Sequence, residues 1–420
     1  MAMDISVLIP TLNEEKNLIE LIPNVKKTLE ALGVKYELII IDGGSKDRTV
    51  RIAIELGAVV VSEHRPGYSR ALKTGFDVAK GKFLITMDAD LTHEPKFITK
   101  MWQVKDGAEL IIASRYIPGS KRQMEVFRAI LSIVLNRFFS FSLSLPVKDL
   151  SSGFRMYSRR AIKSIDIEGV DFDGLQEILL KVYAKGWKIT EVPFEYKVRK
   201  YGRSHIKLFK FGLSYLKTFF KIWQLRNSIN CADYDYRAYY SRIPLQRYWQ
   251  RRRYDIIMGF IKDKSSIVDI GCGSSKVIVD LPDAIALDIN FSKLLYLRKT
   301  NRKLINATIG NLPFKGSSFS CAICSQVIEH TKEKEIFAEL NRVLKNEGVL
   351  IIGTPDYDRV SWRIIERLYG FFHRGGYADA HITHYSHKTL ADNLRKSGFK
   401  ILDFKYILGS ELIVKAIKVR

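Results

Sequence analysis

The sequence predicts an α/β protein made of two Rossmann-like units, and three observations predict it. Residues 5–90 alternate short apolar runs with amphipathic stretches. Acidic or polar clusters stand at the ends of three of those runs. Beyond a basic middle stretch the chain resumes with an apolar run, Ser266-Ile-Val-Asp269, then a glycine turn, Gly271-Cys-Gly273, and a second run ending in Asp288.

The elements follow in order. Ile5-Ser-Val-Leu-Ile-Pro10 reads as a buried strand stopped by proline. Leu18, Leu21, Ile22, Val25 and Leu29 recur at helical spacing, and Gly33 ends that helix. Tyr36 to Ile41 is a second strand running into Asp42-Gly-Gly-Ser45. A helix (Thr49 to Leu56), a strand (Ala58 to Ser62) and a helix (Ser69 to Ala79) lead to the strand Lys82 to Thr86, which delivers Asp88 and Asp90. Strict alternation of apolar strands with helices argues for a parallel sheet covered on both faces. Ligands of such sheets sit beyond the carboxyl ends of the strands, where Thr11 to Glu14, Asp42 and the Asp88/Asp90 pair all fall. Alternation turns Asp88 and Asp90 to the same side, so one hard ion such as Mg²⁺ or Mn²⁺ can be held by both.

A chain of 420 residues is long for one domain, and 46% apolar residues are enough for real cores. The net charge of +23 implies an anionic partner. The excess is concentrated: Tyr201 to Tyr254 carries twelve Lys/Arg against Asp233 and Asp235. Val126 to Val147 and Ile206 to Leu225 are apolar helical patterns studded with basic and aromatic residues, suited to an anionic headgroup layer. No signal peptide and no spanning helix are expected, which places the chain peripherally on the cytoplasmic face of a membrane. Four cysteines make no disulfide framework, and Cys321-Ala-Ile-Cys324 lies in a strand-like run. Nothing in the first half resembles an RRM, KH or zinc finger, so nucleic acid is not an expected partner.

Ile9-Pro-Thr-Leu-Asn-Glu-Glu15, Asp42-Gly-Gly-Ser-Lys-Asp-Arg-Thr49, Asp88-Ala-Asp-Leu-Thr-His-Glu-Pro95, Ala113-Ser-Arg-Tyr116 and Asp149-x-x-Ser-Gly-Phe-Arg155 resemble the family 2 glycosyltransferases of GT-A fold. Glu191-Val-Pro193 and Arg199-x-x-Gly-x-Ser204 resemble the dolichyl-phosphate mannosyltransferase branch. The resemblance implies a sugar nucleotide held by Pro10, Thr11, Glu14 and Asp42, and a metal on Asp88 and Asp90 that bridges its diphosphate. It implies phosphate contacts from Arg115, Arg199 and Ser204. Thr92 and His205 depart from the family pattern, where Gln and Lys are usual.

A lipid phosphate carries about −1.5 to −2 charges and can attack the anomeric carbon without a base. Catalysis then rests on positioning and on the metal, with Asp90, Arg115 and Glu177 as the expected catalytic residues. A hydroxyl acceptor would need a carboxylate base, for which Glu177 and Asp173 are candidates. The expected partners are therefore a nucleotide sugar, GDP-mannose or a UDP-hexose, and a polyprenyl phosphate, with one in-line displacement inverting the anomeric centre.

In the second half, Asp269-Ile-Gly-Cys-Gly273, Asp288, Asn311-Leu-Pro-Phe314, Ser325-Gln-Val-Ile-Glu-His330 and Arg342-Val-Leu-Lys-x-x-Gly348 resemble the class I S-adenosylmethionine-dependent methyltransferases. The resemblance implies that Asp269, Gly271, Gly273, Asp288, Asn311 and Gln326 bind S-adenosylmethionine. Ser275 stands where a third glycine is usual, and Thr308 where an acid is usual. His381 and His384 are candidate bases. The expected organisation is a glycosyltransferase domain over 1–226, a basic tyrosine-rich linker or helix over 227–261, and a methyltransferase-like domain over 262–420. The alternative is a glycosyltransferase with a hydroxyl acceptor and a non-catalytic methyltransferase-like binding module.

Overall fold

The computed structural model describes residues 3–123, 126–171, 173–201, 218–301, 303–332, 335–372 and 381–419. The chain divides into two compact units, Met1–Arg226 and Asn227–Arg420.

The strands of the first unit are β1 (Ile5–Thr11), β2 (Tyr36–Asp42), β3 (Val59–Ser62), β4 (Phe83–Thr86), β5 (Leu110–Ser114), β6 (Lys121–Arg122), β7 (Arg155–Ser158), β8 (Ile189–Pro193) and β9 (Glu195–Tyr196). Seven of them form one sheet in the order β3-β2-β1-β4-β7-β5-β8, while β6 pairs with β9. The sheet is parallel from β3 to β4, but β7 runs antiparallel to both β4 and β5. Pro10 does not stop β1. The strand continues to Thr11, which lies in register with Asp42 on β2. Helix Glu15–Ala31 buries Leu18, Leu21, Ile22, Val25 and Leu29 against the sheet, and Gly33 closes it at φ +65°, a conformation only glycine adopts freely. The 126–147 pattern forms a helix only over Val126–Ser142. Residues 218–226 are helical, while the rest of the 206–225 pattern lies outside the described residues.

The second unit carries β10 (Ile267–Ile270), β11 (Ile285–Asp288), β12 (Leu304–Asn306), β13 (Phe319–Ser325), β14 (Leu344–Pro355), β15 (Phe399–Ile407) and β16 (Glu411–Lys418). Their order is β12-β11-β10-β13-β14-β16-β15, parallel except for β16, which is antiparallel to β14 and β15. The chain steps outward from β10 to β12 and then crosses to β13. That reversal opens a crevice at the carboxyl ends of β10 and β13. The basic stretch 227–261 is packed chain rather than a bare linker. Its helix Pro244–Phe260 buries Ile256, Ile257 and Phe260 with Ile267, Ile278 and Ile351. Part of the basic excess is structural too, since Arg253 clamps the buried Glu411 at 2.7 and 2.6 Å. All four cysteines are buried free thiols.

Candidate functional site

In the first unit the ends of β1, β2 and β4 carry the predicted acids. Asp42 is buried and accepts the backbone N–H groups of Gly44 at 3.0 Å and Ser45 at 3.2 Å, which folds the turn after β2 back over the strand end. Gly43 donates to the Thr11 carbonyl at 2.9 Å and sits close enough to it that a Cβ would crowd that oxygen at 3.3 Å. Asn13, at φ +56°, exchanges hydrogen bonds with this turn through Ser45 and Lys46. Glu14 accepts from Asn17, and its backbone N–H donates to Thr49 at 2.8 Å. The ends of β1 and β2 are thereby one rigid shelf.

Past β4 the turn carrying the two aspartates is built from its own sequence. Thr92, fully buried, donates its hydroxyl to Asp90 Oδ1 at 2.6 Å. Its role is to orient an acid, whatever else binds there. His93 accepts the Asp88 N–H on Nδ1 at 3.0 Å, and its Nε2 lies 3.8 Å from Asp88 Oδ2. The imidazole is stacked on Phe154 and set edge-on to Phe194. Tyr68 donates to Asp88 Oδ1 at 2.9 Å, and Gly153 leaves the space: a Cβ there would meet Tyr68 Oη at 2.6 Å. Burial raises the pKa of Asp88, and the neighbouring Asp90 charge adds to it. Burial opposes the Asp90 charge as well, but His93, Thr92 and Arg199 outweigh it and hold Asp90 below the ordinary carboxylate range. Arg199 donates to Asp90 Oδ2 from Nε at 3.0 Å and from Nη2 at 2.7 Å.

Two expected roles change. Arg115 is committed to Asp149: its backbone N–H, Nε and Nη2 all reach that carboxylate, at 3.0, 2.8 and 2.7 Å, and Nη2 also reaches Ser151. The pair is buried, and Asp149 outweighs the burial that would lower the Arg115 pKa. Arg115 thus anchors the 149–154 loop, with Glu191 holding the Lys148 and Asp149 N–H groups from the other side at 2.9 Å. Glu177 is buried and accepts the Gly169 N–H at 2.6 Å and the Glu168 N–H at 3.3 Å, with Lys181 paired at 2.6 Å. A carboxylate so occupied braces the chain at Glu168 and Gly169. Asp173 likewise takes the Asp171 N–H and the Thr218 hydroxyl. Ser204 and His205 lie outside the described residues.

In the second unit the glycine turn meets an acid that belongs to none of the sequence motifs. Asp235 Oδ2 accepts the Ser274 N–H at 3.0 Å and pairs with Lys293 at 2.8 Å, and a Cβ on Gly273 would lie 2.5 Å from it. Asp288 accepts the Gly273 and Asn290 N–H groups, each at 2.7 Å. Ser275 caps helix Lys276–Val279 by accepting the Ile278 N–H, which explains a serine at the third glycine position. Asp269 is buried, and burial together with the Asp288 charge pushes its pKa up to about 8. Gln326 turns the end of β13 at φ +61°, and Asn311 is exposed. Arg342 pins the stretch after Asn311 by donating to the Leu312 and Phe314 carbonyls at 2.9 and 2.6 Å. His381 lies within hydrogen-bond reach of Tyr357 and Glu366, and the exposed His384 stacks on Tyr357 at 4.1 Å.

Tyr68, Asp235 and Glu366 carry no local signal that sequence reasoning could have used. His93 and Asp149 stand inside recognisable motifs, and only the folded chain shows what they touch.

Residues 6–166 match the family described as Glycosyl transferase family 2, and residues 268–352 match a family described as Methyltransferase domain. The chain is 33% identical over 242 residues to the dolichol-phosphate mannosyltransferase of Pyrococcus furiosus, an alignment covering 54% of this chain and 66% of that protein, just under two thirds. It is 29% identical over 243 residues to the polyprenol monophosphomannose synthase of Mycolicibacterium smegmatis, covering 54% of this chain and 89% of that protein. Among solved structures, glucosyl-3-phosphoglycerate synthase from Mycobacterium tuberculosis in complex with Mn²⁺, UDP and glucosyl-3-phosphoglycerate aligns over 52% of this chain and 80% of that one. The identity is 22% and the TM-score 0.42.

Proposed function

We propose that this chain, which carries a family 2 glycosyltransferase domain followed by a methyltransferase domain, transfers a hexose from a nucleotide sugar to a polyprenyl phosphate at a membrane surface. The observation that carries this reading is the Asp88/Asp90 pair, with Arg199 seated on Asp90 as a cation where the two acids need one. An oxygen-only donor pair suits Mg²⁺ or Mn²⁺, and the guanidinium already compensates Asp90 much as an ion would. Asp88 and Asp90 would hold the metal, which when bound supplies charge for the departing diphosphate. Thr92, His93 and Tyr68 fix the two carboxylates, and Arg199, released from Asp90, is placed to take a phosphate oxygen. Thr11, Glu14 and Asp42 on the adjoining shelf form the proposed cradle for base and ribose.

The commitment of Glu177 and Asp173 to backbone and side-chain partners supports an acceptor that needs no base. A phosphate monoester is such an acceptor. The names of the two relatives, dolichol-phosphate mannosyltransferase and polyprenol monophosphomannose synthase, support the same class.

 

Helix Val126–Ser142 supports the membrane placement. Ile130, Val134, Phe138 and Phe141 recur along one face and are 55%, 57%, 51% and 65% exposed, beside the exposed Arg137. Phe138 also packs on Phe219 of the 218–226 helix, which exposes Phe220 and Trp223. Among the described residues no helix is long and apolar enough to cross a membrane. An apolar stripe edged with basic residues suits the headgroup layer.

For the second unit the reading is methyl transfer from S-adenosylmethionine to a sugar, lipid or glycan. The glycine turn supports it, with Gly271 and Gly273 at φ +67° and +56° just past the carboxyl end of β10. Asp288 stands at the end of β11, where a ribose diol would be met.

A radiolabelled transfer assay tests the first activity, using GDP-mannose and UDP-hexoses with polyprenyl phosphate and Mn²⁺. Label that enters organic solvent and is lost in Asp90→Asn supports the reading. Metal-dependent nucleotide binding without lipid label refutes the acceptor.

A further inference from the structure

At the carboxyl end of β13 the chain turns through Gln326 into a 3-10 turn, Ile328–His330, which sets Glu329 and His330 side by side. A distant segment returns to the same place. The N–H groups of Ile382 and Thr383 donate to the Glu329 carbonyl at 2.8 and 3.0 Å. One ligand atom from each of Glu329, His330 and His381 lies within 4.8 Å of the others. Glu329 is fully buried, and neither carboxylate oxygen has a hydrogen-bond donor at bonding geometry among the described residues. A buried carboxyl in that state must either keep a proton or be accompanied by a cation.

His381 is oriented as a ligand would be. Its Nδ1 lies 2.7 Å from the Tyr357 hydroxyl and 3.2 Å from Glu366 Oε1, and Tyr357 donates to that same oxygen at 2.7 Å. An imidazole whose Nδ1–H is given to a carboxylate keeps Nε2 as its lone-pair atom, the arrangement that fixes the tautomer of metal-binding histidines.

We propose that Glu329, His330 and His381 form a divalent-cation site in the second unit, separate from the Asp88/Asp90 pair of the first. Two imidazoles and one carboxylate suit Zn²⁺, Fe²⁺, Mn²⁺ or Co²⁺ better than Mg²⁺. Ligand atoms around a four-coordinate ion with bonds of about 2.1 Å stand about 3.4 Å apart, so modest side-chain rotation closes the site. Three protein ligands leave positions open for an acceptor. The substrate class is a hydroxyl, or a pair of neighbouring hydroxyls as on a sugar ring.

The site adjoins the cofactor turn, because Gly271 is packed so closely on Val327 that a Cβ would overlap its side chain. The use of the ion rests on the methyl-transfer reading given above. The bound hydroxyl loses its proton to solvent, and its oxygen forms the new bond to the methyl carbon. The methyl–sulfur bond breaks, and its electron pair stays on sulfur as the neutral thioether.

The test uses the tag-free full chain carrying Asp88→Asn and Asp90→Asn, stripped of metal and titrated with Co²⁺ and Zn²⁺ without S-adenosylmethionine. Calorimetry and the visible absorption of bound Co²⁺ are read. The expected result is one ion per chain, with affinity at least tenfold lower in Glu329→Gln and in His381→Ala. Glu366→Gln should lower it by about tenfold through the orientation of His381. A parent chain that takes up no ion overturns the proposal, whatever the variants do. An ion unmoved by both ligand variants, with unchanged melting and circular dichroism, overturns it too. An ion bound by a chain that fails to bind S-adenosylmethionine supports the site and refutes the methyl-transfer reading instead.

Discussion

Arg199 and Asp90, 109 residues apart in the chain, are joined by two hydrogen bonds to a single carboxylate oxygen, Oδ2, at 3.0 and 2.7 Å. The arginine therefore competes with any cation for Asp90. Arg199→Ala should raise Mn²⁺ affinity several-fold in calorimetry without donor, while sugar transfer falls at least tenfold. In metal-free buffer the variant should lose about 1.5–3 kcal/mol of stability, the usual worth of hydrogen bonds to a charged group. Mn²⁺ should restore part of it. Unchanged Mn²⁺ affinity would show that the arginine does not guard the site.

Glu177 separates a brace from a base. Glu177→Gln gives up the pairing with Lys181 and weakens acceptance of the Gly169 and Glu168 N–H groups. The expected variant melts several degrees lower but keeps kcat within about threefold. Loss of a general base would instead cost about 10²–10⁴ in rate. Thermal melts and steady-state kinetics on the same preparation distinguish the two.

Asp269 makes the second unit's stability depend on pH. Its folded pKa is about 8 against 3.8 for the free group, because burial and the Asp288 charge oppose ionisation. Between those values the folded chain holds a proton that the unfolded chain has released. Stability should therefore fall as pH rises from about 4 to about 8. Denaturant melts across this range should show a shallower slope in Asp269→Asn, and an equal slope would remove Asp269 as a cause.

The apolar stripe gives a membrane prediction. Val134→Asp with Phe138→Asp should reduce sedimentation with anionic vesicles about tenfold or more, since each side chain is worth about 1.5–3 kcal/mol when buried. Phe138→Leu should bind nearly as the parent does. Vesicle binding that survives the double variant would move the contact elsewhere.

How much was legible follows from where the signals lie. Strands β1 to β4 and their helices are local patterns of period 2 and 3.6, so residues such as Leu18, Leu21 and Val25 announce their face without any partner. The direction of β7 was not legible, because no residue of Arg155–Ser158 records which neighbour it will pair with. Glu177 illustrates the same limit at the site. Its sequence setting suits a base, and only the return of the chain at Glu168 and Gly169 occupies it.

By itself the sequence determined the alternation of strands and helices, the acids at the strand ends, the glycine turn with Asp288 and the basic excess. Each of these is written within a few neighbouring residues. Only the tertiary structure decided that Arg115 serves Asp149, that Asp235 sits on the glycine turn, and that Glu329 and His381 meet across 52 residues of chain. The physical reason is that a charged side chain takes whichever partner folding brings within about 3 Å, and that partner is set by distant packing.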